Sequence, residues 1–439
     1  MTKHLFYQYA LHPMINGVIE KLGFHKPTDI QQKVIPAVLR GESIIGKSHT
    51  GSGKTHAYLL PLFSELEKEK PNGVQFVVTA PTRELATQIY DEVRNIIELA
   101  EKTKEWNAKL LIGGTDKKRS IEKLKEPPHI VVGTPSRILD LVKEEALNIH
   151  TIQSLIIDEA DLMLDLGFIQ EVDQLLVRTN SNVQILVFSA TIPERLQPFL
   201  NKYLEKPSYL VAGEQDLSPE TMEHRLIPLR HRSISEMVYR ISKTIQPYLA
   251  IIFTNGKDKA NELAIELTEK GLEVGLMHGG LTPRERKRAL KDIQQLKYQY
   301  IVATDLAARG IDIKGVSHVI NAQLPKEEEF YIHRVGRTAR AGMEGTAVNL
   351  YTDEDIKLIE RLEKKGLTFD SYDINQDNWV KTKAWNERKK RKSTESDTEK
   401  EAWKHIRKPK NVKPGYKKKM KKQQEQVKKK IMRNSKFKK

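Results

Sequence analysis

Short apolar runs that alternate with longer stretches of helical period are the strongest constraint on the fold of this 439-residue chain. Such runs, rich in Val, Ile and Leu, are typical of parallel strands covered on both faces by helices. The first half contains five of them, at 43–47, 75–80, 129–134, 154–159 and 184–190. The second half contains five more, at 248–253, 273–278, 300–305, 317–321 and 345–351. We therefore predict an α/β protein with two parallel-sheet domains in tandem.

A polar segment containing Gly and Pro separates the two halves. We place the first domain at residues 1–210, the linker at 211–225 and the second domain at 226–370. The helical and strand patterns fade after that point, which leaves a tail over 371–439.

The positive charge is concentrated in this tail. Residues 381–439 hold 25 Lys and Arg against 6 Asp and Glu, a net charge of +19, whereas the whole chain carries +16. We predict that 386–439 is disordered, with a transient helix around 420–432. A tail of this kind points to phosphate-rich partners or to a solvated end.

Composition excludes several classes of protein. The absence of Cys removes disulfides, thiolate zinc sites, iron–sulfur clusters and Cys nucleophiles, and it fits a reducing compartment. Apolar runs fall short of the ~20 residues that a membrane helix needs. The first residues lack the basic-then-apolar order of a signal peptide. We therefore expect a cytoplasmic protein without a membrane anchor.

The segment SHTGSGKT (48–55) follows a predicted strand and precedes a helical run at 56–69, the context of a phosphate-binding loop. Its glycines allow backbone amides to approach phosphates, Lys54 would reach the outer phosphates, and Thr55 would hold Mg²⁺. Ser48 stands where the general pattern has its first Gly. The predicted nucleotide contacts in the loop are Ser48, Thr50, Gly51, Ser52, Gly53, Lys54 and Thr55.

An acidic partner for this loop follows another predicted strand, in LIIDEAD (155–161). The strand would deliver Asp158 to the sheet edge where open α/β folds bind ligands. Asp158 would support Mg²⁺, and Glu159 is placed to orient and deprotonate the attacking water.

Together the loop and the DEAD tetrapeptide resemble the DEAD-box RNA helicases of superfamily 2, and further family motifs occur in order over about 6–350. The resemblance implies two RecA-like domains, ATP with Mg²⁺, and an RNA partner contacted mainly through its backbone. GFHKPTDIQ (23–31) resembles the Q motif, in which Phe24 would stack on adenine and Gln31 would bond its edge. Phe6 is a candidate for the isolated aromatic upstream of that motif.

The remaining motifs imply RNA contacts, ATP contacts and coupling between the two. The implied RNA-binding residues are Pro81, Thr82, Arg83, Gly113, Gly114, Thr134, Pro135, Arg137, Thr254, Asn255, His278, Gly279, Arg286, Thr304 and Arg309. Motif VI, HRVGRTARAG, implies Arg337 and Arg340 as arginine fingers on the γ-phosphate. Asp312 would accept from the ribose hydroxyls. Ser189, Thr191, Asp161 and His333 would couple the ATP site to the RNA site.

Since the loop and the fingers lie in different halves, ATP chemistry should require closure of the cleft between the domains, which RNA would also favour. The resemblance then implies a bacterial monomer that unwinds short RNA duplexes locally, or remodels RNA–protein complexes, and releases RNA after hydrolysis. Ribosome assembly, cold adaptation and RNA decay are roles it suggests. Three interpretations of the basic tail stay open: a nonspecific RNA tether, a docking segment for ribosomal particles or RNA-decay proteins, and a solvated end. An ATP-gated RNA clamp and a DNA helicase are the alternatives, and the Q motif, PTRELA and DEAD strings disfavour the second.

Overall fold

The computed structural model describes residues 5–48, 51–68, 73–114, 116–204, 207–212, 222–305, 313, 315–338 and 345–387. The chain divides into two compact units, Met1–Phe369 and Asp370–Lys439.

The first unit begins with a seven-stranded sheet in the order β3-β4-β2-β5-β6-β1-β7, in which every pair of neighbours is parallel. Its strands are β1 Ile44–Lys47, β2 Phe76–Thr79, β3 Ala108–Leu111, β4 Ile130–Gly133, β5 Ser154–Ile157, β6 Gln184–Ser189 and β7 Ser208–Val211. The helices are α1 Pro13–Lys21, α2 Asp29–Leu39, α3 Lys54–Lys68, α4 Arg83–Leu99, α5 Lys117–Lys123, α6 Pro135–Lys143, α7 Ala160–Asp165, α8 Ile169–Leu176 and α9 Gln197–Tyr203. Leu5–Gln8 and Glu194–Leu196 form short 3-10 helices.

The same unit contains a second parallel sheet in the order β10-β11-β9-β12-β13-β8. Its strands are β8 Met222–Pro228, β9 Ala250–Thr254, β10 Val274–Met277, β11 Tyr300–Thr304, β12 His318–Asn321 and β13 Gly345–Tyr351. The helices are α10 Ile234–Thr244, α11 Lys257–Glu269, α12 Pro283–Gln294, α13 Glu328–Val335 and α14 Ile356–Lys364, with a 3-10 turn at Asp353–Asp355. The predicted architecture of two parallel-sheet α/β domains in tandem is thus confirmed.

Three strands of these sheets were missed by the sequence analysis. β3 and β7 are edge strands, and their residues are mostly half-buried or exposed, so they lack a continuous apolar run. β8 alternates buried and half-buried residues and begins at Met222, inside the segment that we assigned to the linker. The domain boundaries themselves remain predictions.

The second unit contains an antiparallel hairpin of β14 Asp370–Asn375 and β15 Asn378–Lys381. Gln376 and Asp377 between the strands have φ of +47° and +56°, as a two-residue type I′ turn requires. The sequence analysis placed no strand here. Residues 388–439, with the predicted helix at 420–432, lie outside the described residues.

The carboxyl ends of the strands in each sheet lead directly into the predicted motifs. In the first sheet β1 leads into the phosphate loop, β5 into DEAD and β6 into SAT. Parallel strands end at one edge of a sheet, so motifs far apart in sequence meet there. Among the described residues, none of the helices is long and apolar enough to cross a membrane.

Candidate active site

The phosphate loop is tied to the end of β6. The Ser48 N–H donates to the Ser189 carbonyl oxygen at 3.1 Å, and the Ser52 hydroxyl donates to Ser48 Oγ at 3.0 Å. Gly51 and Gly53 have φ of +83° and +91°, a conformation that side chains with a Cβ rarely adopt. The backbone at Ser48 therefore ties the loop to the SAT segment, and the hydroxyl that replaces the first Gly of the general pattern forms a bond within the loop. Thr50 lies outside the described residues.

Gln31 bonds both to the phosphate loop and to the start of its own helix. Its Nε2 donates to the Gly53 carbonyl oxygen at 3.2 Å, and its Oε1 accepts from the Thr28 N–H at 2.9 Å. A Cβ on Gly53 would lie 2.8 Å from Gln31 Nε2, so this contact also requires glycine. The side chain predicted to bond adenine is therefore held beside the loop that would hold the phosphates.

The two predicted aromatics lie one behind the other. Phe24 is half-buried, with its ring 4.9 Å from the His56 ring in an edge-on arrangement. Phe6 is fully buried in the core and lies 6.4 Å behind Phe24 with the rings nearly parallel. Phe24 is thus the ring that retains an accessible surface, and Phe6 supports it from the interior.

A buried charged network joins the phosphate loop to the DEAD segment. Lys54 Nζ lies 3.0 Å from Glu159 Oε1, and both side chains are at least 93% buried. Burial lowers the pKa of Lys54, but the carboxylates of Glu159 and Asp158 outweigh it and raise the pKa above its usual value. Lys54 therefore stays a cation at the position where the outer phosphates of a nucleotide would arrive.

Asp158 is held by two donors. Its Oδ2 accepts from the Tyr58 hydroxyl at 3.1 Å, and its Oδ1 accepts from the Glu159 N–H at 3.0 Å. Burial raises the pKa of Asp158 to about 6, against the opposing charge of Lys54. Glu159 itself has φ and ψ of +53° and +54°, a left-handed conformation that turns its carboxylate back toward Lys54. Sequence reasoning missed Tyr58, because a tyrosine four residues after the loop lysine has the position of an ordinary core residue of α3.

The oxygen ligands at this site fit a magnesium ion. Thr55 supplies a hydroxyl and Asp158 a carboxylate, both of the hard type that Mg²⁺ prefers. Within the described part of the chain no group of three or more His, Asp or Glu could form an all-protein metal cage. This fits an ion that keeps several waters and takes its remaining ligands from phosphates.

Asp161 of the DEAD box contacts both the SAT segment and the second sheet. The Thr191 N–H and hydroxyl donate to Asp161 Oδ2 at 3.0 and 2.8 Å, and the Asp161 N–H donates to Ser189 Oγ at 3.1 Å. From α13, His333 Nε2 lies 3.2 Å from the same Asp161 oxygen, and both side chains are almost fully buried. Burial raises the pKa of Asp161, but His333 and Thr191 outweigh it and hold the pKa well below its usual range. The four residues predicted to couple the sites are therefore in direct contact.

The RNA residues predicted in the first sheet gather where β2, β3 and β4 end. Arg83 lies across the double glycine, since a Cβ on Gly114 would fall 2.5 Å from Arg83 Nη1 and one on Gly113 would fall 3.3 Å from Nη2. Thr82 caps α4 by accepting from the Leu85 N–H at 3.2 Å. The other members of the set are Pro81, Thr134 and Pro135, which are buried, and Arg137, which is half-buried.

The second sheet places its predicted RNA residues at the ends of β9, β10 and β11. Thr254 and Thr304 are buried, and Gly279 is exposed. His278 is buried, with Nε2 2.9 Å from Asn261 Oδ1 and Nδ1 accepting from the Gly280 N–H. Arg286 Nε lies 2.6 Å from Glu84 Oε1 of the PTRELA segment. The two halves of the predicted RNA site therefore touch through this ion pair.

Arg334, which sequence reasoning missed, is the center of the second sheet's polar network. It is 1% exposed, and its guanidinium donates to Asp305 Oδ1 and Oδ2 at 2.5 and 2.7 Å. It also donates to Asn321 Oδ1 at 3.1 Å, the Gln323 carbonyl oxygen at 2.6 Å and Asn255 Oδ1 at 2.7 Å. The amide of Asn255, predicted to contact RNA, is thus engaged in this network. Of three arginines in motif VI, the spacing alone did not tell which one is structural.

The predicted arginine fingers and ribose contact fall partly outside the described residues. Arg337 is described and 97% buried at the end of α13. Arg340, Arg309 and Asp312 lie outside the described residues.

Two family models match the chain in order. Residues 28–199 match the DEAD/DEAH box helicase family, and residues 231–342 match the helicase conserved C-terminal domain. The chain is 52% identical over 436 residues to the DEAD-box ATP-dependent RNA helicase CshB of Bacillus subtilis (strain 168), covering 99% of both chains. It is 44% identical over 391 residues to CshB of Staphylococcus aureus, covering 89% of this chain and 86% of the relative.

Solved structures show the same fold with ligands bound. Dbp5 of S. cerevisiae bound to RNA and ADP BeF3 superposes with a TM-score of 0.73 at 26% identity, covering 89% of this chain and 98% of that one. Mss116 bound to ssRNA and UDP-BeF gives a TM-score of 0.74 at 28% identity, covering 85% and 80%. With both family models present and a relative at 52% identity along its whole length, the chain belongs to the DEAD-box ATP-dependent RNA helicases, and it is an RNA-binding ATPase that unwinds RNA.

Proposed function

We propose that this helicase unwinds short RNA duplexes locally, in a cycle that binds ATP with Mg²⁺ across the two sheets and frees RNA after hydrolysis. The observation that carries the proposal is the buried contact of His333 with Asp161. It links the DEAD segment of the first sheet to motif VI of the second, so a structural change at the bound nucleotide can shift both sheets.

In the proposed nucleotide site, Lys54 leaves Glu159 for the outer phosphates when ATP binds. Glu159 then orients and deprotonates the attacking water. Thr55 and Asp158 hold Mg²⁺, whose charge offsets that of the phosphates. Arg337 and Arg340 supply cations to the γ-phosphate, a contribution worth ~10³–10⁵ in rate where it is known. Phe24 and Gln31 select adenine, and Asp312 accepts from the ribose.

In the proposed RNA site, backbone contacts come from both sheets. Arg83, Arg137, Arg286 and Arg309 neutralise phosphates, and the hydroxyls and backbone amides of the remaining motif residues bond sugar and phosphate oxygens. Contacts of this kind carry little base specificity, and 2′-hydroxyl bonds favour RNA over DNA.

We further propose that the enzyme acts as a monomer in the cytoplasm. The basic segment 381–439 serves as an RNA tether there, because its 25 cations would raise the local concentration of any polyanion. Ribosome assembly, cold adaptation and RNA decay are the cellular processes in which we place it.

Steady-state ATPase activity with and without single-stranded RNA tests the proposed chemistry. Glu159→Gln should lower the rate about 10²–10⁴-fold while ATP still binds, since only the base is lost. Glu144→Gln, the same change on an exposed residue that pairs with Lys117, serves as the control and should keep full activity. Equal turnover of Glu159→Gln and wild type would refute the role of Glu159, and equal stimulation by DNA would refute RNA selection.

A further inference from the structure

Helix α12 has two different faces. Ala289, Leu290 and Ile293 pack into the hydrophobic cluster beneath β10 and β11. The opposite face carries Arg284, Lys287, Arg288 and Lys291, all exposed, at spacings i, i+3, i+4 and i+7 that align them along one side of a helix. We call these four residues the α12 basic stripe.

The charge of this stripe is largely unbalanced. Of the acidic residues on the helix, Glu285 accepts from the Thr282 N–H and hydroxyl at 2.8 and 2.7 Å in a capping box. Asp292 lies 4.0 Å from Arg288. Arg284, Lys287 and Lys291 form no ion pair within the described part of the chain. Like charges one turn apart destabilise a helix by about 0.2–0.5 kcal/mol per pair, so the stripe does not serve the stability of α12.

Helix α12 borders the proposed RNA site. Arg286 lies on the inner side of this helix, where it pairs with Glu84 at 2.6 Å, and the stripe lies on the outer side of the same helix. Glu84 follows Arg83, whose guanidinium lies across Gly114. A strand of RNA held by the motif residues would therefore leave the site next to α12.

We propose that the α12 basic stripe binds phosphates of RNA that extends beyond the nucleotides held by the motif residues. At a rise of 1.5 Å per residue, Arg284 and Lys291 lie about 10 Å apart along the helix. That length faces two or three phosphates of one strand, which follow at about 3.4 Å along a duplex axis. The inference rests on the RNA contacts of the proposed function and adds a second, flanking site to them.

The test uses the full chain with Lys287→Gln and Lys291→Gln combined. The RNA concentration that half-activates the ATPase is measured over a series of salt concentrations. One RNA is an oligonucleotide just long enough to fill the motif contacts, and the other is several times longer. On the long RNA we expect the salt slope to fall by about 1.4, because each phosphate contact on a single strand contributes about 0.7. The matching loss of affinity is at most about 25-fold near 0.1 M salt, and the short RNA should show no loss.

Lys357→Gln with Lys364→Gln is the matched control. Both lysines are exposed on α14, which follows β13, whereas α12 packs on β10 at the far edge of the same sheet. If long RNA half-activates the double variant and the wild type at the same concentration, the stripe inference is overturned and the proposed function is not. An equal loss on the short RNA, or an equal loss in the control, would also overturn it. A wild type that no RNA activates would refute the proposed RNA contacts and the stripe together.

Discussion

Replacing Arg334 by Met should loosen the second sheet while leaving the first intact. Arg334 is 1% exposed and donates to both carboxylate oxygens of Asp305 and to Asn255, Asn321 and Gln323. Methionine fills much of the same space but donates nothing. The Asp305 carboxylate, only 18% exposed, would then lose its cation.

The size of the effect follows from the pair that is broken. Removing one partner of a buried ion pair costs about 3–5 kcal/mol, because the remaining charge stays buried without compensation. Arg334→Lys keeps the charge but cannot reach five acceptors from a single nitrogen, so we expect about half of that loss. Combining Arg334→Met with Asp305→Asn should recover part of it, since the orphaned carboxylate is also removed.

Native-state hydrogen exchange measures this change locally. Peptides that cover β9 and β12 should lose about 3–5 kcal/mol of opening free energy in Arg334→Met, and peptides that cover β2 and β5 should not change. RNA-stimulated ATPase activity should fall with it, because Asn255 is held by the same guanidinium. Protection of β9 and β12 within about 1 kcal/mol of wild type would refute the argument that Arg334 organises this sheet.

Three further changes test other parts of the structure. Tyr58→Phe keeps the ring but removes the donor to Asp158, so the free energy of unfolding should fall by about 1.5–3 kcal/mol in urea titration, together with Mg²⁺ affinity in a fluorescent-nucleotide titration. Burial lowers the pKa of His224 from 6.5 to about 4, so between these pH values His224 is protonated in the unfolded chain but not in the folded chain. The free energy of unfolding should therefore fall by about 3 kcal/mol as the pH drops from 6.5 to 4, and it should not depend on His224 above pH 6.5. His224→Gln should flatten this pH dependence in unfolding curves. Gly114→Ala would force Arg83 away, at a φ of +80° that alanine adopts with strain, and should weaken RNA binding about tenfold in fluorescence anisotropy with ATP affinity unchanged.

The parts of the site that could be predicted are those whose sequence signals lie within a few neighbouring residues. The phosphate loop and the acidic tetrapeptide stand directly after buried strands, and backbone geometry alone delivers both to one sheet edge. Strands on the edges of the sheets were not predictable in this way. Their residues bury less surface, so β3 and β7 carry no continuous apolar run.

By itself, the sequence determined the fold class, the place of each motif at a strand end and the family resemblance, because strand period, glycine spacing and residue type are properties of neighbouring residues. Only the tertiary structure decided the partners of the buried polar groups. Arg334 bonds Asp305, and Tyr58 bonds Asp158. Pairings of this kind depend on which side chains meet across packed elements and which donors can reach an acceptor there, and burial makes each such bond obligatory.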